Sequence, residues 1–156
     1  MIKLIACIGP NGELGLNNDL IYHNKRDMKF FREQTKENIV IMGKNTFKSI
    51  GSKPLPDRIN IVLTEESESY PGVLTWNMPL ENALRNAKAW FPMLDIYIIG
   101  GAYVYNQAIE QRLPDELLLK MFSFQFSLYS NWYNYFFLRI IIFYSEIINS
   151  KIIEII

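Results

Sequence analysis

Short apolar segments alternate with helix-like amphipathic segments along residues 1–119, and this alternation limits the possible folds more than any other feature. Buried strands of a parallel sheet are continuous apolar runs, whereas the helices between them show a 3.6-residue period. The sequence therefore predicts one α/β domain with a mostly parallel central sheet and helices on both faces. The predicted strands are residues 2–8, 38–42, 59–63, 73–76, 95–99 and 116–119, and the predicted helices are residues 25–35, 45–50, 79–89 and 103–112.

Length, charge and two rare residue types narrow the class of protein. A chain of 156 residues suits one compact domain, and 16 basic against 16 acidic residues give no net charge that would attract nucleic acid or a membrane. Cys7 is the only cysteine, which we interpret as filling space in the first strand rather than as a nucleophile. His23 is the only histidine, and no acidic or cysteine cluster has metal-ligand spacing, so we expect no metal site. No secretory signal is evident, and we expect a cytoplasmic monomer.

Asp27 is the most informative single residue. Asn24 suits a helix N-cap, which places Asp27 at the third helical position, one turn before Phe31 and beside Met28. An acid there is explained in one of two ways. It stabilises the positive end of the helix dipole, or it loses hydration in a pocket and meets hydrogen-bond donors of a ligand. The segment alone leaves both interpretations open.

Glycines follow three of the predicted strands, where ligands of open α/β sheets bind. The run Gly43-Lys44-Asn45-Thr46 suits a phosphate, although an ordinary turn with a solvated lysine has the same pattern. Gly100-Gly101 permits close backbone approach but is not a full dinucleotide fingerprint. A phosphate-binding loop of the nucleotide-hydrolase type is absent from the sequence.

Taken together and in order, these segments resemble the dihydrofolate reductase family. The resemblance covers residues 1 to about 119 and includes the family's first strand, its acid-bearing helix, its cofactor turn, the arginine-bearing turn and the paired glycines. The motifs that carry it are residues 2–6 (IKLIA), 20–35, 41–51 (IMGKNTFKSIG), 54–64 (PLPDRINIVLT) and 98–105 (IIGGAYVY).

The resemblance implies NADPH-dependent reduction of 7,8-dihydrofolate, in support of one-carbon and thymidylate metabolism, by an enzyme that antifolates target. Asp27 would accept two parallel N–H donors from the 2-amino-pyrimidine edge of the pterin and promote protonation at N5. Leu20 would lie in a mobile lid, and Tyr22 stands where the family usually has tryptophan. The implied catalytic residues are Asp27, Tyr22 and Leu20.

The resemblance also implies two sets of binding residues. Arg58, otherwise a surface charge, would grip the carboxylate of the glutamate tail with Arg32 at the rim, and Lys44 would meet the cofactor 2′-phosphate. Glu65 and Tyr103 replace a hydroxyl and an arginine of some relatives, which predicts a weaker preference for NADPH over NADH. The substrate set is Ile5, Ala6, Met28, Phe31, Arg32, Ile50, Arg58, Ile99 and Tyr105, and the cofactor set is Cys7, Gly15, Leu16, Gly43, Lys44, Asn45, Thr46, Leu63, Thr64, Gly100, Gly101, Ala102, Val104 and Gln107.

Residues 120–156 depart from the family. Lys120 stands where the family places a threonine that hydrogen-bonds the catalytic acid, and the loop that supports the lid is missing. All eight glycines and all seven prolines lie at or before Pro114, whereas the tail carries eleven of the 22 aromatic residues. Alternation over residues 122–128 favours a strand, and residues 134–148 are apolar but short for a membrane span. We hypothesise a slipped reading frame near Lys120, with a genuine divergent tail as the competing explanation.

Two other functions stay open at the level of sequence. A pyrimidine reductase of riboflavin synthesis shares the fold, but Asp27 in its context and Arg58 argue against it. A non-catalytic remnant that binds only nucleotide or folate is the second alternative, because the atypical tail replaces the family's last strands beside the active site. Turnover of dihydrofolate distinguishes the enzyme from both.

Overall fold

The computed structural model describes residues 1–8, 25–65, 68–121 and 153–155 of the chain. Within these residues, strands and helices alternate as far as the sixth strand, except that the third strand is followed directly by the fourth, as the apolar pattern predicts. The elements are β1 (Ile2–Ile8), α1 (Lys25–Thr35), β2 (Ile39–Gly43), α2 (Lys44–Ser49), β3 (Ile59–Leu63), β4 (Leu74–Trp76), α3 (Leu80–Trp90), β5 (Ile96–Ile98), α4 (Ala102–Glu110), β6 (Glu116–Met121) and β7 (Ile153–Ile155).

The described strands form one sheet in the order β4-β3-β2-β5-β1-β6-β7, and every pairing among them is parallel. The predicted α/β fold with a mostly parallel sheet is therefore confirmed. Because the strands are parallel, their carboxyl ends meet at one edge of the sheet, which collects the described turns after β2, β3 and β5. This carboxyl edge is where Gly43 and the Gly100-Gly101 pair lie.

Predicted and observed boundaries agree closely. The strands β1 and β3 match at both ends, and α2 and α4 begin one residue earlier than predicted. The early starts have a local cause, since Gly43 and Gly101 are extended N-caps and the helix begins at the next residue. The strand β6 continues two residues past its predicted end, because Lys120 and Met121 pair with Cys7 and Ile8 of β1.

Residues of the tail are described only in part. The backbone of β7 lies outside β6, with Leu117 opposite Ile153 and Leu119 opposite Ile155. The predicted strand over residues 122–128 and the apolar segment 134–148 lie outside the described residues.

Successive residues of each strand point to opposite faces of the sheet, and this alternation divides the core in two. In β2, for example, Ile39 and Ile41 pack with α3 and α4, whereas Val40 and Met42 pack on the side of α1 and α2. We call these the α3–α4 face and the α1–α2 face. Helices therefore cover both faces, as predicted.

The α3–α4 face is closed by helix residues that are themselves buried. Ala83 and Ala87 are fully buried at i, i+4 spacing and allow α3 to approach the sheet closely, while Leu80 and Leu84 fill the space beside them. From α4, the buried residues are Val104, Tyr105, Ala108 and Ile109.

An ion network joins the amino ends of three strands. The Met1 ammonium group lies 2.7 Å from an Asp95 carboxylate oxygen, and Lys3 Nζ lies 3.2 Å from Asp95 and 3.4 Å from Glu116. Burial opposes the charge of Lys3, but the hydrogen bond and charge of Asp95 raise the pKa of Lys3 above its usual value. Burial likewise opposes the charge of Asp95, yet its bonds from the N-terminus and Lys3 lower the pKa of Asp95. The network fixes β1, β5 and β6 to one another at the edge opposite the glycine turns.

Candidate functional site

Asp27 lies at the third position of α1, as predicted from its spacing to the N-cap. Both of its carboxylate oxygens are buried, although its neighbours Arg26 and Met28 are exposed. An acid that only stabilised the helix dipole could keep its oxygens in water. The inward orientation therefore favours the interpretation in which Asp27 faces a ligand.

The predicted apolar walls collect on the α1–α2 face near Asp27. Ile5 is buried there, and Phe31 and Ile99 pack half-buried against the same cluster. Met28 and Ile50 are 48% and 38% exposed, which is unusual for large apolar side chains. These two side chains are not core residues, and they offer apolar surface that a flat ring could cover.

The structure does not bring Ala6 to this surface. Ile5 and Ala6 are consecutive in β1, so their side chains point to opposite faces, and Ala6 packs in the α3–α4 face. Tyr105 also belongs to the α3–α4 face, where its hydroxyl donates to the Ile5 carbonyl oxygen at 2.8 Å. Burial, with the nearby Cys7, raises the pKa of the Tyr105 phenol. Tyr105 is therefore a neutral donor that holds the backbone of β1 beside the site.

Arg58 lies at the other end of α1. Its Nε donates to Thr35 Oγ1 at 2.8 Å, one terminal nitrogen donates to the Pro56 carbonyl oxygen at 3.0 Å, and its guanidinium lies 5.7 Å from the centre of the Phe31 ring. Burial, followed by the like charge of Arg32, lowers the pKa of Arg58. Two guanidinium groups whose charges repel each other make a favourable place for an anion.

The helix α1 spaces these two charged groups. Asp27 and Thr35 are eight residues apart, which corresponds to about 12 Å along a helix at 1.5 Å per residue. The face between them carries Phe31 and Met28. This arrangement suits an elongated ligand with a polar ring at one end and a carboxylate at the other.

The turns after β2 and β5 meet at the carboxyl edge. The Gly43 amide donates to the Gly100 carbonyl oxygen at 2.8 Å, and the Gly100–Gly101 peptide bond is cis. A Cβ on Gly101 would lie 2.9 Å from Thr46 Oγ1, and a Cβ on Gly43 would lie 3.2 Å from Val104. A side chain at Gly101 would force Thr46 to move, and one at Gly43 would press on Val104, so glycine at both positions favours the close approach of the two turns.

Lys44 is the first residue of α2, directly beside this junction. Its Nζ lies 2.9 Å from Glu68 Oε1, and the Tyr70 hydroxyl donates to the other oxygen of Glu68. Lys44 is therefore not a freely solvated lysine. Neither Glu68 nor Tyr70 was predicted from the sequence. The acidic residues at positions 65, 66 and 68 were the only signal that pointed to an acid here.

The other predicted site residues differ in their surroundings. Asn45 and Ala102 are exposed at the starts of α2 and α4. Glu65 and Tyr103 are also exposed, whereas Thr64 is buried directly after β3. Cys7, Leu63 and Gln107 are half-buried. The residues that lie outside the described part of the chain are Gly15, Leu16, Leu20 and Tyr22.

Two kinds of feature are absent from the part of the chain that the structure describes. Residues 1–8, 25–65, 68–121 and 153–155 contain no group of three or more His, Cys, Asp or Glu side chains arranged to hold a metal ion. Over the same residues, no helix is long and apolar enough to cross a membrane.

Comparisons with known proteins agree with this geometry. The family model for dihydrofolate reductase matches residues 1–123. The dihydrofolate reductase of Haemophilus influenzae is 36% identical over 117 residues, covering 75% of this chain and 69% of that protein. That of Buchnera aphidicola is 35% identical over 108 residues, covering 69% and 65%.

A solved structure gives the same result. Dihydrofolate reductase from Enterococcus faecalis, complexed with NADP(H) and RAB-propyl, superposes with a TM-score of 0.71 at 30% identity, covering 83% of this chain and 75% of that one. The chain spans about two thirds of the length of the first curated relatives it matches. The family match, the shared fold and the arrangement around Asp27 together show that this chain belongs to the dihydrofolate reductase family.

Proposed function

We propose that this protein reduces 7,8-dihydrofolate to 5,6,7,8-tetrahydrofolate with NADPH and so supplies one-carbon and thymidylate metabolism in the cytoplasm. The observation that carries the proposal is the position of Asp27, whose two buried oxygens lie on α1 one helix length from Arg58. Family membership supports the same reaction.

Asp27 anchors the ring in this proposal. A carboxylate withdrawn from water gains most from donors that match its two oxygens, and the 2-amino-pyrimidine edge of a pterin offers two parallel N–H groups. The negative charge beside the ring also favours the protonated form of N5. Phe31, Met28 and Ile50 would cover the faces of the ring and exclude water from it.

Arg58 and Arg32 bind the opposite end of the substrate in this proposal. Thr35 and Pro56 fix the plane of the Arg58 guanidinium, so the group is oriented before the ligand arrives. A fixed guanidinium loses little side-chain entropy when it binds a carboxylate.

The residues at the carboxyl edge fit a dinucleotide cofactor. The close contact between the turns after β2 and β5 leaves backbone amides at the start of α4, where the N-cap Gly101 makes no side-chain cap. Lys44 and Thr46 add a positive charge and a hydroxyl beside them. When bound, NADPH would supply a hydride to the ring carbon next to N5, and a proton from solvent would complete the reduction at N5. The chain's own residues would position the substrate, and the negative charge of Asp27 would favour protonation.

The direct test is the loss of NADPH absorbance in the presence of dihydrofolate. Asp27→Asn should lower kcat/KM by about 100-fold or more, because the amide removes both the charge and one acceptor. Glu33→Gln is the matched control, since Glu33 lies on the exposed side of the same helix in an ion pair with Lys29. An inert but folded wild type that binds NADPH would contradict the proposal and favour the non-catalytic alternative.

The origin of the atypical tail is a separate question. We propose that residues from about 120 onwards are either a frame-slipped sequence or a divergent end of the same single domain. The family match ends at residue 123, as both explanations require, whereas the pairing of β7 with β6 supports the second. Reading the coding DNA around codon 120 decides between them, because a slipped frame must contain the missing family loop in another frame.

A further inference from the structure

We propose that Glu68 is an internal competitor for the anion site at Lys44 and sets how strongly the protein distinguishes phosphorylated from unphosphorylated nicotinamide cofactors. The inference rests on the proposed function, because it assigns Lys44 to the ribose phosphate of NADPH. It adds a residue that opposes this contact.

Lys44 and Glu68 form a close ion pair. Lys44 Nζ and Glu68 Oε1 are 2.9 Å apart, which is the distance of a charge-assisted hydrogen bond. The Lys44 side chain is only 16% exposed, whereas that of Glu68 is 37% exposed. The Glu68 carboxylate therefore occupies a position at the ammonium group that a phosphate oxygen would take.

The Lys44–Glu68 pair lies beside the predicted cofactor site. Lys44 follows β2, and Glu68 lies in the connection from β3 to β4. Both positions are at the carboxyl edge of the sheet, and Gly43 next to Lys44 is bonded to Gly100. The acid thus reaches the predicted cofactor edge from a neighbouring turn rather than from the helix of Lys44 itself.

Tyr70 holds the acid in place. Its hydroxyl donates to the second oxygen of Glu68, and its ring packs on that of Phe47 with centroids 4.9 Å apart. Phe47 is fully buried in the α1–α2 face. Glu68 is therefore oriented by a side chain that is fixed to the core, which lowers the entropy lost when it pairs with Lys44.

The negative charge of Glu68 disfavours a phosphorylated cofactor. A phosphate monoester carries about −1.5 to −2 charges at pH 7, so it repels Glu68 while it attracts Lys44. A phosphorylated cofactor must displace the carboxylate or bind beside it, whereas the unphosphorylated cofactor leaves the pair intact. Glu68 therefore weakens the phosphorylated ligand selectively.

The experiment measures the affinities of adenosine 2′,5′-bisphosphate and adenosine 5′-phosphate for the full-length protein by calorimetric titration. Glu68→Gln should raise the preference for the bisphosphate about fivefold, and Tyr70→Phe should raise it about twofold, because the acid is then less firmly held. In a Lys44→Gln background, Glu68→Gln should raise the preference by clearly less than fivefold, because only the repulsion between Glu68 and the phosphate then remains. Glu81→Gln, which removes an exposed acid paired with Arg85, is the control for net charge and should leave the preference unchanged.

An unchanged or lower preference in Glu68→Gln would overturn the inference and make the pair a purely structural link between two turns. If Glu68→Gln fails to fold, Tyr70→Phe keeps the test decisive, since it retains the charge and the aromatic packing. The measurement does not depend on turnover. Shifted nucleotide preference without dihydrofolate reduction would remove the proposed function but retain the inference, and reduction without a shift would do the reverse. The absence of nucleotide binding in every variant would contradict both.

Discussion

The two faces of the sheet are built from similar strand residues but are covered in different ways. On the α3–α4 face, the helices contribute small and medium side chains that are themselves buried, such as Ala83, Ala87 and Leu80. On the α1–α2 face, Phe47 is the only buried apolar helix residue among those described, while Phe31 is half-buried. One face is a closed core, and the other leaves large apolar side chains at the surface.

The difference shows how a site is made from an ordinary core. Alanine at i, i+4 spacing lets α3 approach the sheet, whereas α1 packs the large Phe31 side chain against its face and leaves Met28 exposed. The helix α1 also carries Asp27, whose buried carboxylate oxygens need hydrogen-bond donors in place of water. The α1–α2 face therefore combines a buried acid with exposed apolar side chains, as the proposed ligand site requires.

The comparison is tested most strongly by one truncation on each face. Leu80→Ala should lower the free energy of unfolding by about 3 kcal/mol, because Leu80 is fully buried, and should leave the KM for dihydrofolate unchanged. Met28→Ala should change stability by less than about 1 kcal/mol but raise that KM about tenfold. Denaturant unfolding and steady-state kinetics measure both, and an interchange of the two results would break the comparison.

A second test addresses the far end of the α1–α2 face. Arg58→Lys keeps the charge but loses the planar group that Thr35 and Pro56 orient, so the KM for dihydrofolate should rise about tenfold with little change in kcat. Arg85→Lys, an exposed arginine of α3, is the matched control.

The substrate itself provides a further control for Arg58. A dihydropterin without the glutamate tail should be reduced equally well by wild type and Arg58→Lys, because it offers no carboxylate for the guanidinium. A loss that is the same for both substrates would assign Arg58 to the fold rather than to binding.

The smallest expected effect concerns the ion network at the amino edge, which lies away from the proposed site. Asp95→Asn should lower the free energy of unfolding by about 1 kcal/mol at pH 7, since the Met1 ammonium group loses its ion pair with Asp95 and Lys3 keeps only that with Glu116. Because the folded pKa of Asp95 is lowered, its contribution is complete above the unfolded value near 4 and disappears as pH falls through the folded value. When unfolding is measured from pH 7 to pH 2, the free energies of unfolding of wild type and Asp95→Asn should therefore become equal in acid. The KM for dihydrofolate should be the same for both proteins at pH 7.

Local patterns predicted the fold well because each strand and helix carries its own signal. The strands β1 and β3 were predicted to the residue. The N-cap glycines Gly43 and Gly101 explain why α2 and α4 each begin one residue earlier than predicted. Ala6, which the resemblance placed in the substrate set, has its side chain on the face of the sheet opposite to that of Ile5. The two-residue period of a strand, already visible in the sequence, separates it from Ile5.

Contacts between distant residues could not be predicted in the same way. The pair Lys44–Glu68 spans 24 residues and the bond from Arg58 to Thr35 spans 23, and neither has a periodic signal. Such contacts arise only when the sheet brings separate turns together. The family resemblance gave Lys44 and Arg58 their proposed ligands but not the partners that hold them.

The most direct test of the account is the affinity of a diaminopyrimidine antifolate for wild type and Asp27→Asn, measured by titration without any turnover. Wild type should bind the antifolate at least about 100-fold more tightly than Asp27→Asn, because the inhibitor presents the paired N–H donors that the buried carboxylate accepts. Glu33→Gln should bind as wild type does. Equal affinity in wild type and Asp27→Asn would contradict the claim that the α1–α2 face is a ligand site organised around Asp27.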